Sequence, residues 1–341
     1  MVTAIVLFVC LGISVFFNLS DFANDLFLGG SGRYSHSVGP RIDEVLVDDN
    51  NSVNKIAIID VDGLITSRVL DQGGFSMVEV IQAQLRCAAQ DDNVKAVILK
   101  VDSPGGEVLA SDDIYRALAK FQKTSGKPVI ASMGDLAASG GYYVSTPCRW
   151  IVANPLTLTG SIGVIIHTWN YRGLMDKLGL EPEVYKSGKF KDMLSGEREP
   201  SQVSPEEKEM LNSLIQQTFA RFKEVVGEGR RLANQENKGK GQALAADWTK
   251  YADGRVLSGQ DAYKLGFVDE LGDFHDAVRR AKTIAGIPNA NLIEYQQRYG
   301  LTDLFHLFGK AEAKPIKIDW GFDLPKLQAG QPYYLAPMFL R

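Results

Sequence analysis

The sequence predicts an α/β protein with largely parallel strands. Three observations point there: short apolar runs of strand length recur, segments with apolar residues at three- and four-residue steps separate them, and glycine-rich turns sit at the junctions. Repeated strand and helix units of this kind build a sheet covered by crossover helices.

Val2 to Phe17, "VTAIVLFVCLGISVFF", is an uncharged apolar run, and continuing it through "NLSDF" brings it near the roughly 20 residues that span a bilayer. Residues 1–27 are therefore expected to form an N-terminal transmembrane helix. It is expected to be retained rather than cleaved, because no small-x-small cleavage site directly follows and no basic segment precedes it. "GGSGRYSHSVGP" then marks residues 28–54 as a linker.

"KIAIIDVDG" (Lys55 to Gly63) is a compact apolar run ended by a turn, as a buried strand should be. "SMVEVIQAQLRCAAQ" carries Val78, Ile81, Leu85 and Ala89 at helical spacing, and "VKAVILKVDSPGG" is a strand running into a Pro-Gly-Gly turn. The alternation continues with "DDIYRALAKFQ" as helix, "KPVIASMGD" as strand, "AASGGYYVST" as short helix and "RWIVANP" as strand. Beyond Gly160 come the apolar run "SIGVIIH", a helix near "YRGLMDKLG" and a strand "EPEVYK". Ser204, Pro205 and Glu206 then stand in N-cap order before a long amphipathic helix with Leu211, Leu214, Ile215, Phe219, Phe222 and Val226 on one face. "NKGKGQALAADW" reads as a loop and short helix, and two further helices flank a Gly-Phe-Val-Asp turn. Residues 287–341, with five scattered prolines from Pro288 to Pro337, show no period and read as a C-terminal tail.

Composition narrows the chemistry. The net charge of the 341 residues is −4 with Lys and Arg spread along the chain, so nothing supplies the basic face that nucleic acid requires. Cys10, Cys87 and Cys148 are far apart and support neither a metal site nor a disulfide framework. The four histidines form no HExxH or HxH arrangement. Any catalysis is expected to work without metal or cofactor.

Two glycine-rich turns, "DSPGGEV" (Asp102 to Val108) and "AASGGYY" (Ala137 to Tyr143), each follow a strand and open a helix. There, helix N-termini present N–H groups to developing negative charge. A serine at one turn facing glycine amides at the other would combine a nucleophile with backbone donors, as acyl transfer requires. Either turn alone is more readily explained by positive φ and close packing. A serine also needs a base. His36, His167, His275 and His306 lie in the linker, at the end of an apolar run, and in the late helices or tail. Lysine can serve where burial lowers its pKa. "VYKSGKFKDMLSGERE" offers Lys186, Lys189 and Lys191, and spacing does not choose among them.

"DSPGG", "SMGDLAASGGYYVST", "LTGSIGV", "KSGKFKDMLSGEREPS" and "DGRVLSGQDAYKLGFVDELG" occur in this order, and together they resemble the single-length members of the signal peptide peptidase A family. The resemblance covers roughly Lys55 to Gly286 and implies membrane-anchored Ser-Lys peptidases with a ClpP/crotonase-like fold. Residues 55–286 would then be the peptidase domain of repeated strand-helix units, with additional C-terminal helices. Ser139 would be the acylated nucleophile, Lys191 the general base and Ser161 the group that orients Lys191. The oxyanion hole would combine the Gly140 amide with that of Gly105 or Gly106. Lys186 and Lys189 would be surface or lid charges, and Asp102 and Asp135 would cap turns or pair locally.

The resemblance further implies peptide partners, namely signal peptides or other membrane-associated peptides, a single-pass anchor with the catalytic domain on the extracytoplasmic side, and a homo-oligomer whose neighbouring subunits complete the site. The missing basic residues before the anchor depart from the family. Three other readings stand beside it: a related Ser-Lys protease aimed at one membrane protein, a crotonase-like acyl-CoA enzyme, and a catalytically inactive peptide-binding scaffold.

Overall fold

A computed structural model describes residues 39–69, 74–297 and 332–335. The anchor expected in residues 1–27 lies outside them. Among the described residues no helix is long and apolar enough to cross a membrane.

The main sheet is built from β1 (Ile42–Asp48), β2 (Lys55–Asp62), β3 (Val94–Ser103), β5 (Val129–Ala138), β6 (Trp150–Ala153), β10 (Glu270–Leu271) and β11 (Asn291–Gln297). They lie in the order β1-β11-β2-β3-β5-β6-β10. Every neighbour from β11 to β10 is parallel, and only the edge strand β1 runs antiparallel. Near its end β5 takes a further parallel partner, β7 (Leu158–Gly160), which pairs antiparallel with β9 (Val256–Ser258).

Both faces of the parallel strands are covered, which explains their unbroken apolar runs. On one face Ala57, Ile59, Val61, Val97, Leu99 and Val101 pack beneath α1 (Met77–Gln90), α2 (Val108–Ser125), α3 (Gly140–Ser145) and part of α5 (Pro205–Glu236). The alternate residues Ile56, Ile58, Ala96, Ile98 and Ile130 turn the other way. They meet Ala277, Val278 and Ala281 of α7 (Phe274–Ala285). Each fully buried large aliphatic side chain contributes about 1.5–3 kcal/mol, so this double layer is the principal source of stability.

Local signals set the helix ends. Capping boxes open α1 at Ser76 and Glu79, α5 at Ser204 and Glu207, and α7 at Asp273 and Asp276. Gly126 ends α2 with φ 71 and Gly286 ends α7 with φ 68. In α5 the core contacts lie in the second half, through Phe222, Val225, Val226, Gly229, Arg230 and Ala233, and only Glu207 is buried in the first half. Leu214, assigned by periodicity to the same face, is 50% exposed. The apolar stripe of α5 thus outruns the core that one chain builds. Its one buried cation, Arg230, pairs with Asp269, which also accepts from the Ile151 and Gln242 amides, while the Arg230 Nε has no partner among the described residues.

Several sequence assignments change. β1 lies inside the segment read as linker, and β11 and β12 (Pro332–Leu335) lie inside the segment read as tail. Pairing partners distant in the sequence make these strands, which a local pattern cannot reveal: β11 completes the edge of β2. "EPEVYK" is not a strand. Glu183 to Lys186 are exposed and no strand pairs with them. The run "SIGVIIH" yields only β8 (Ile165–Ile166). β5 continues through Leu136, Ala137 and Ala138, so α3 starts at Gly140 and Ser139 falls at the junction. Short α4 (Arg172–Lys177) and α6 (Gly259–Lys264) lie where helices were expected.

Candidate active site

Ser139 stands where the β5–β7 ladder ends. Ala138 pairs with Gly160, and the Ser139 N–H donates to the Gly160 carbonyl at 2.8 Å. Its backbone has φ 54 and ψ −115, a conformation that residues with a Cβ rarely adopt. The surroundings enforce it. The Tyr143 N–H donates to the Ser139 carbonyl at 2.8 Å, and the Thr159 hydroxyl donates to the Ala137 carbonyl at 2.7 Å. Behind it, a Cβ on Gly141 would stand 2.7 Å from the Ser103 carbonyl oxygen, so the helix start lies directly on the neighbouring turn. Ser139 is buried, and its Oγ has no hydrogen-bond partner among the described residues. Leaving a buried hydroxyl unpaired costs about 1–3 kcal/mol, so a strained and unpaired serine in a well-packed core calls for a functional explanation.

Ser161 follows Gly160 at the end of the strand paired with β5. It is buried with φ 50, and its N–H donates to the Arg255 carbonyl at 2.7 Å. The two serines therefore emerge side by side from paired strands, each in the left-handed half of backbone space.

The other wall is the turn into β4 (Gly105–Glu107). Ser103 pins it: its hydroxyl donates to the Gly63 carbonyl at 2.6 Å and accepts from the Gly105 amide at 3.1 Å. Ile65 donates to the Gly105 carbonyl and accepts from the Glu107 amide, so strand alternation turns the Gly106 N–H to the opposite side. The Gly106 nitrogen lies 3.1 Å from the point where a Cβ on Gly140 would stand. The Gly140 amide opens α3 and has no intrahelical acceptor. Two amides, those of Gly106 and Gly140, thus converge beside Ser139, while the Gly105 amide is already engaged. Gly105 serves close approach instead. Its φ is 99, and a Cβ there would lie 2.6 Å from the Gly140 nitrogen and 1.9 Å from the Tyr334 carbonyl oxygen.

Sequence reading missed the supports of this corner. The Ser111 hydroxyl donates to the Glu107 carbonyl at 2.9 Å and packs against Gly140. The Tyr143 hydroxyl donates to Asp112 at 2.7 Å, and burial followed by that carboxylate pushes the Tyr143 phenol well up. Ser103 was visible within "DSPGG"; nothing in the sequence connects Asp112 to Tyr143. Asp102 accepts locally from the Leu136 amide at 3.1 Å.

The lysines are elsewhere. Lys186 pairs with Asp192 at 2.8 Å, a contact that holds the Asp192 carboxyl below its ordinary range, and Lys189 pairs with Glu206 at 2.6 Å. Together with Arg172 and Arg198 they line a cavity of about 730 Å³ whose charges are of both signs. Lys191 is exposed in the segment between α4 and α5. Since the Ser139 Oγ has no partner, the Lys191 amine does not reach it within the chain. The fold gathers Ser139, Ser161, Gly105, Gly106 and Gly140 and leaves Lys191 apart.

The chain is similar to several known proteins. Residues 121–287 match peptidase family S49, and residues 62–161 match the Clp protease family. The chain is 39% identical over 230 residues to a "putative protease" of Methanocaldococcus jannaschii, spanning 67% of this chain and 68% of that one. It is 34% identical over 259 residues to a "putative signal peptide peptidase SppA" of Enterococcus faecium, spanning 75% of this chain and 71% of that one. Protease 4 of Salmonella typhi is 36% identical over 222 residues, which cover 65% of this chain and 33% of that protein. Among solved structures, the 1510-N membrane-bound stomatin-specific protease aligns with 67% of this chain and 84% of its own at 17% identity and a TM-score of 0.40. By these matches the chain belongs to peptidase family S49, the signal peptide peptidase A family of serine proteases.

Proposed function

We propose that this chain is a membrane-anchored serine endopeptidase that uses Ser139 and Lys191 to hydrolyse residual signal peptides or other membrane-associated peptides. The observation that carries the reading is Ser139 itself: buried, held at φ 54, with an unpaired Oγ beside the Gly106 and Gly140 amides. In the proposed reaction the Ser139 Oγ attacks the peptide carbonyl while its proton passes to the Lys191 amine. The Gly106 and Gly140 amides take up the oxyanion, and the lysine then protonates the leaving amine. Water, deprotonated by the same lysine, releases the acyl group. Ser161, next to Ser139, would hold the lysine amine, as the family resemblance implies. The apolar run Val2–Phe17 supports the anchor, and an extracytoplasmic catalytic domain follows from the family resemblance.

Because Lys191 stands away from Ser139, the base is supplied by the corresponding segment of a neighbouring copy. Exposed apolar side chains on that segment, Trp169, Leu174, Leu178, Leu180, Val184 and Tyr185, support such an interface. The test is peptide hydrolysis by Ser139→Ala, by Lys191→Ala, and by a mixed assembly of the two. Each variant alone should lose activity, and the mixture should recover part of it. Substantial turnover by either variant alone overturns the dyad; two inactive variants whose mixture also stays inactive overturn the shared site.

A further inference from the structure

Glu207 is the one buried residue in the first half of α5, between the exposed side chains of Glu206 and Lys208. It closes the capping box: its carboxylate accepts from the Ser204 amide at 2.8 Å, and its own amide donates to the Ser204 hydroxyl at 3.2 Å. Capping alone does not bury it. The matching carboxylate of α1, Glu79, is exposed, and that of α7, Asp276, is only half-buried.

Arg198 covers Glu207. Its guanidinium donates to the two carboxylate oxygens at 2.5 and 3.2 Å, in the two-pronged geometry that arginine offers and lysine does not. The same group donates to the Gln202 carbonyl at 2.6 Å and to the Asp192 carbonyl at 3.4 Å, and its Nε lies 3.6 Å from the Asp192 carboxylate. Asp192 is the residue after Lys191, and Lys186 holds its carboxylate from the other side at 2.8 Å. One guanidinium therefore links the turn that carries Lys191 to the first turn of α5.

The far end of α5 is fixed in the core. Phe222, Val225 and Val226 are buried there, and a Cβ on Gly229 would lie 2.4 Å from the Thr146 carbonyl oxygen. Glu207 and Phe222 are separated by about 22 Å of continuous helix at 1.5 Å per residue. The helix carries a rigid reference from the core out to the lysine turn.

We propose that Arg198 and Glu207 are positioning residues for the reaction: the pair pins the turn that carries Lys191 to α5 and so fixes where the lysine amine is presented to Ser139. The inference rests on the Ser139 and Lys191 reading, and adds to it the means by which an exposed lysine is aimed. A displacement of one ångström in a reacting group can cost about a hundredfold in rate, so the aim matters as much as the base.

Glu207→Gln isolates this role, because glutamine still completes a capping box but offers Arg198 no charge. Glu206→Gln removes the same charge from the adjacent residue, which pairs with Lys189, and serves as the control. Both full-length variants are assayed for peptide hydrolysis across pH beside the native chain and Lys191→Ala. Glu207→Gln should lower kcat about tenfold or more with KM little changed, as expected when a proton-transfer group is misplaced. The alkaline ascending limb of its pH–rate profile should also move up by about half a pH unit or more, because an amine released from the site regains its water. Glu206→Gln should match the native chain in both readouts. A merely structural role would lower the rate at every pH and leave the limb in place.

A native kcat in Glu207→Gln, a reduced kcat with an unmoved limb, or an equal loss in Glu206→Gln overturns the inference. Turnover that survives Lys191→Ala overturns instead the dyad on which the inference rests. Should Glu207→Gln not fold, as judged by circular dichroism, Arg198→Lys, which keeps the charge and loses the fork, takes its place under the same two readouts.

Discussion

The Ser139 corner and the Lys191 segment are built on opposite principles. Around Ser139 the backbone is held from several sides. Ser103, Thr159 and Tyr143 hold the two turns, and glycines bring the backbones into contact. From Trp169 to Lys191 the chain is largely exposed, holds one short helix, and is tied by ion pairs such as Arg172–Asp176 and Lys186–Asp192. Ion pairs near the surface are screened by solvent and hold their side chains less firmly than core packing does. Strain can be sustained only where packing over-determines the backbone. In the proposed reaction the nucleophile and its oxyanion donors accordingly come from the core, and the base from an exposed segment.

Glycine replacement gives the sharpest contrast. Gly105→Ala forces a Cβ to within 1.9 Å of the Tyr334 carbonyl oxygen and 2.6 Å of the Gly140 nitrogen, which neither backbone can clear by a rotamer change. Displacing one oxyanion donor costs about 10²–10³ in kcat, and Gly105→Ala is expected to lose at least that much in a peptide hydrolysis assay. Gly173→Ala, in α4, meets nothing within 4 Å and should leave kcat and Tm unchanged. Similar losses at both positions would remove the distinction between the two regions.

Alkaline pH should open the core before it disturbs the segment. Burial raises the phenols of Tyr142, Tyr143 and Tyr334 above their ordinary value. A group whose folded pKa is raised stabilises the fold fully below its unfolded value, near 10 for tyrosine, and loses that contribution as pH rises through the folded value. Stability should therefore fall above about pH 10, by up to about 1.4 kcal/mol per pH unit for each phenol kept protonated. Denaturant unfolding between pH 9 and 11.5 checks the slope; a flat profile would mean the aromatic cluster is open to solvent.

The smallest expected effect is a gain. Ser139→Gly removes both the unpaired hydroxyl and the penalty of φ 54, at some cost in unfolded-state entropy, for a net stabilisation of about 1 kcal/mol with loss of hydrolysis. Lys191→Ala, although equally inactive, should not change Tm. Thermal melts of the two variants side by side would show whether strain belongs to the core alone, and a Ser139→Gly chain no more stable than the native one would show that it does not.

The strand-helix alternation from Lys55 onward was legible because parallel strands buried on both faces leave continuous apolar runs. The start of the long helix was legible because Ser204, Pro205 and Glu206 stand next to one another. Ser139 and the glycines could be singled out as turns from a few adjacent residues, and their roles were implied by the family resemblance. The β1 and β11 strands were not legible, since an edge strand pairs with partners more than 200 residues away and needs no local pattern of its own. The choice of the Gly106 amide over that of Gly105 needed the hydrogen bonds of Ser103 and Ile65.

The sequence by itself thus determined the strand-helix alternation and the family, and it singled out three short segments as candidates for the chemistry: the serine, the paired glycines and the lysine-rich stretch. Only the tertiary structure decided which of them meet. Burial and backbone pairing gather Ser139, Ser161 and the glycine amides, while exposure leaves Lys191 outside and strand pairing sets Tyr334 opposite Gly106, because contacts between distant residues depend on three-dimensional packing that no local run of residues encodes.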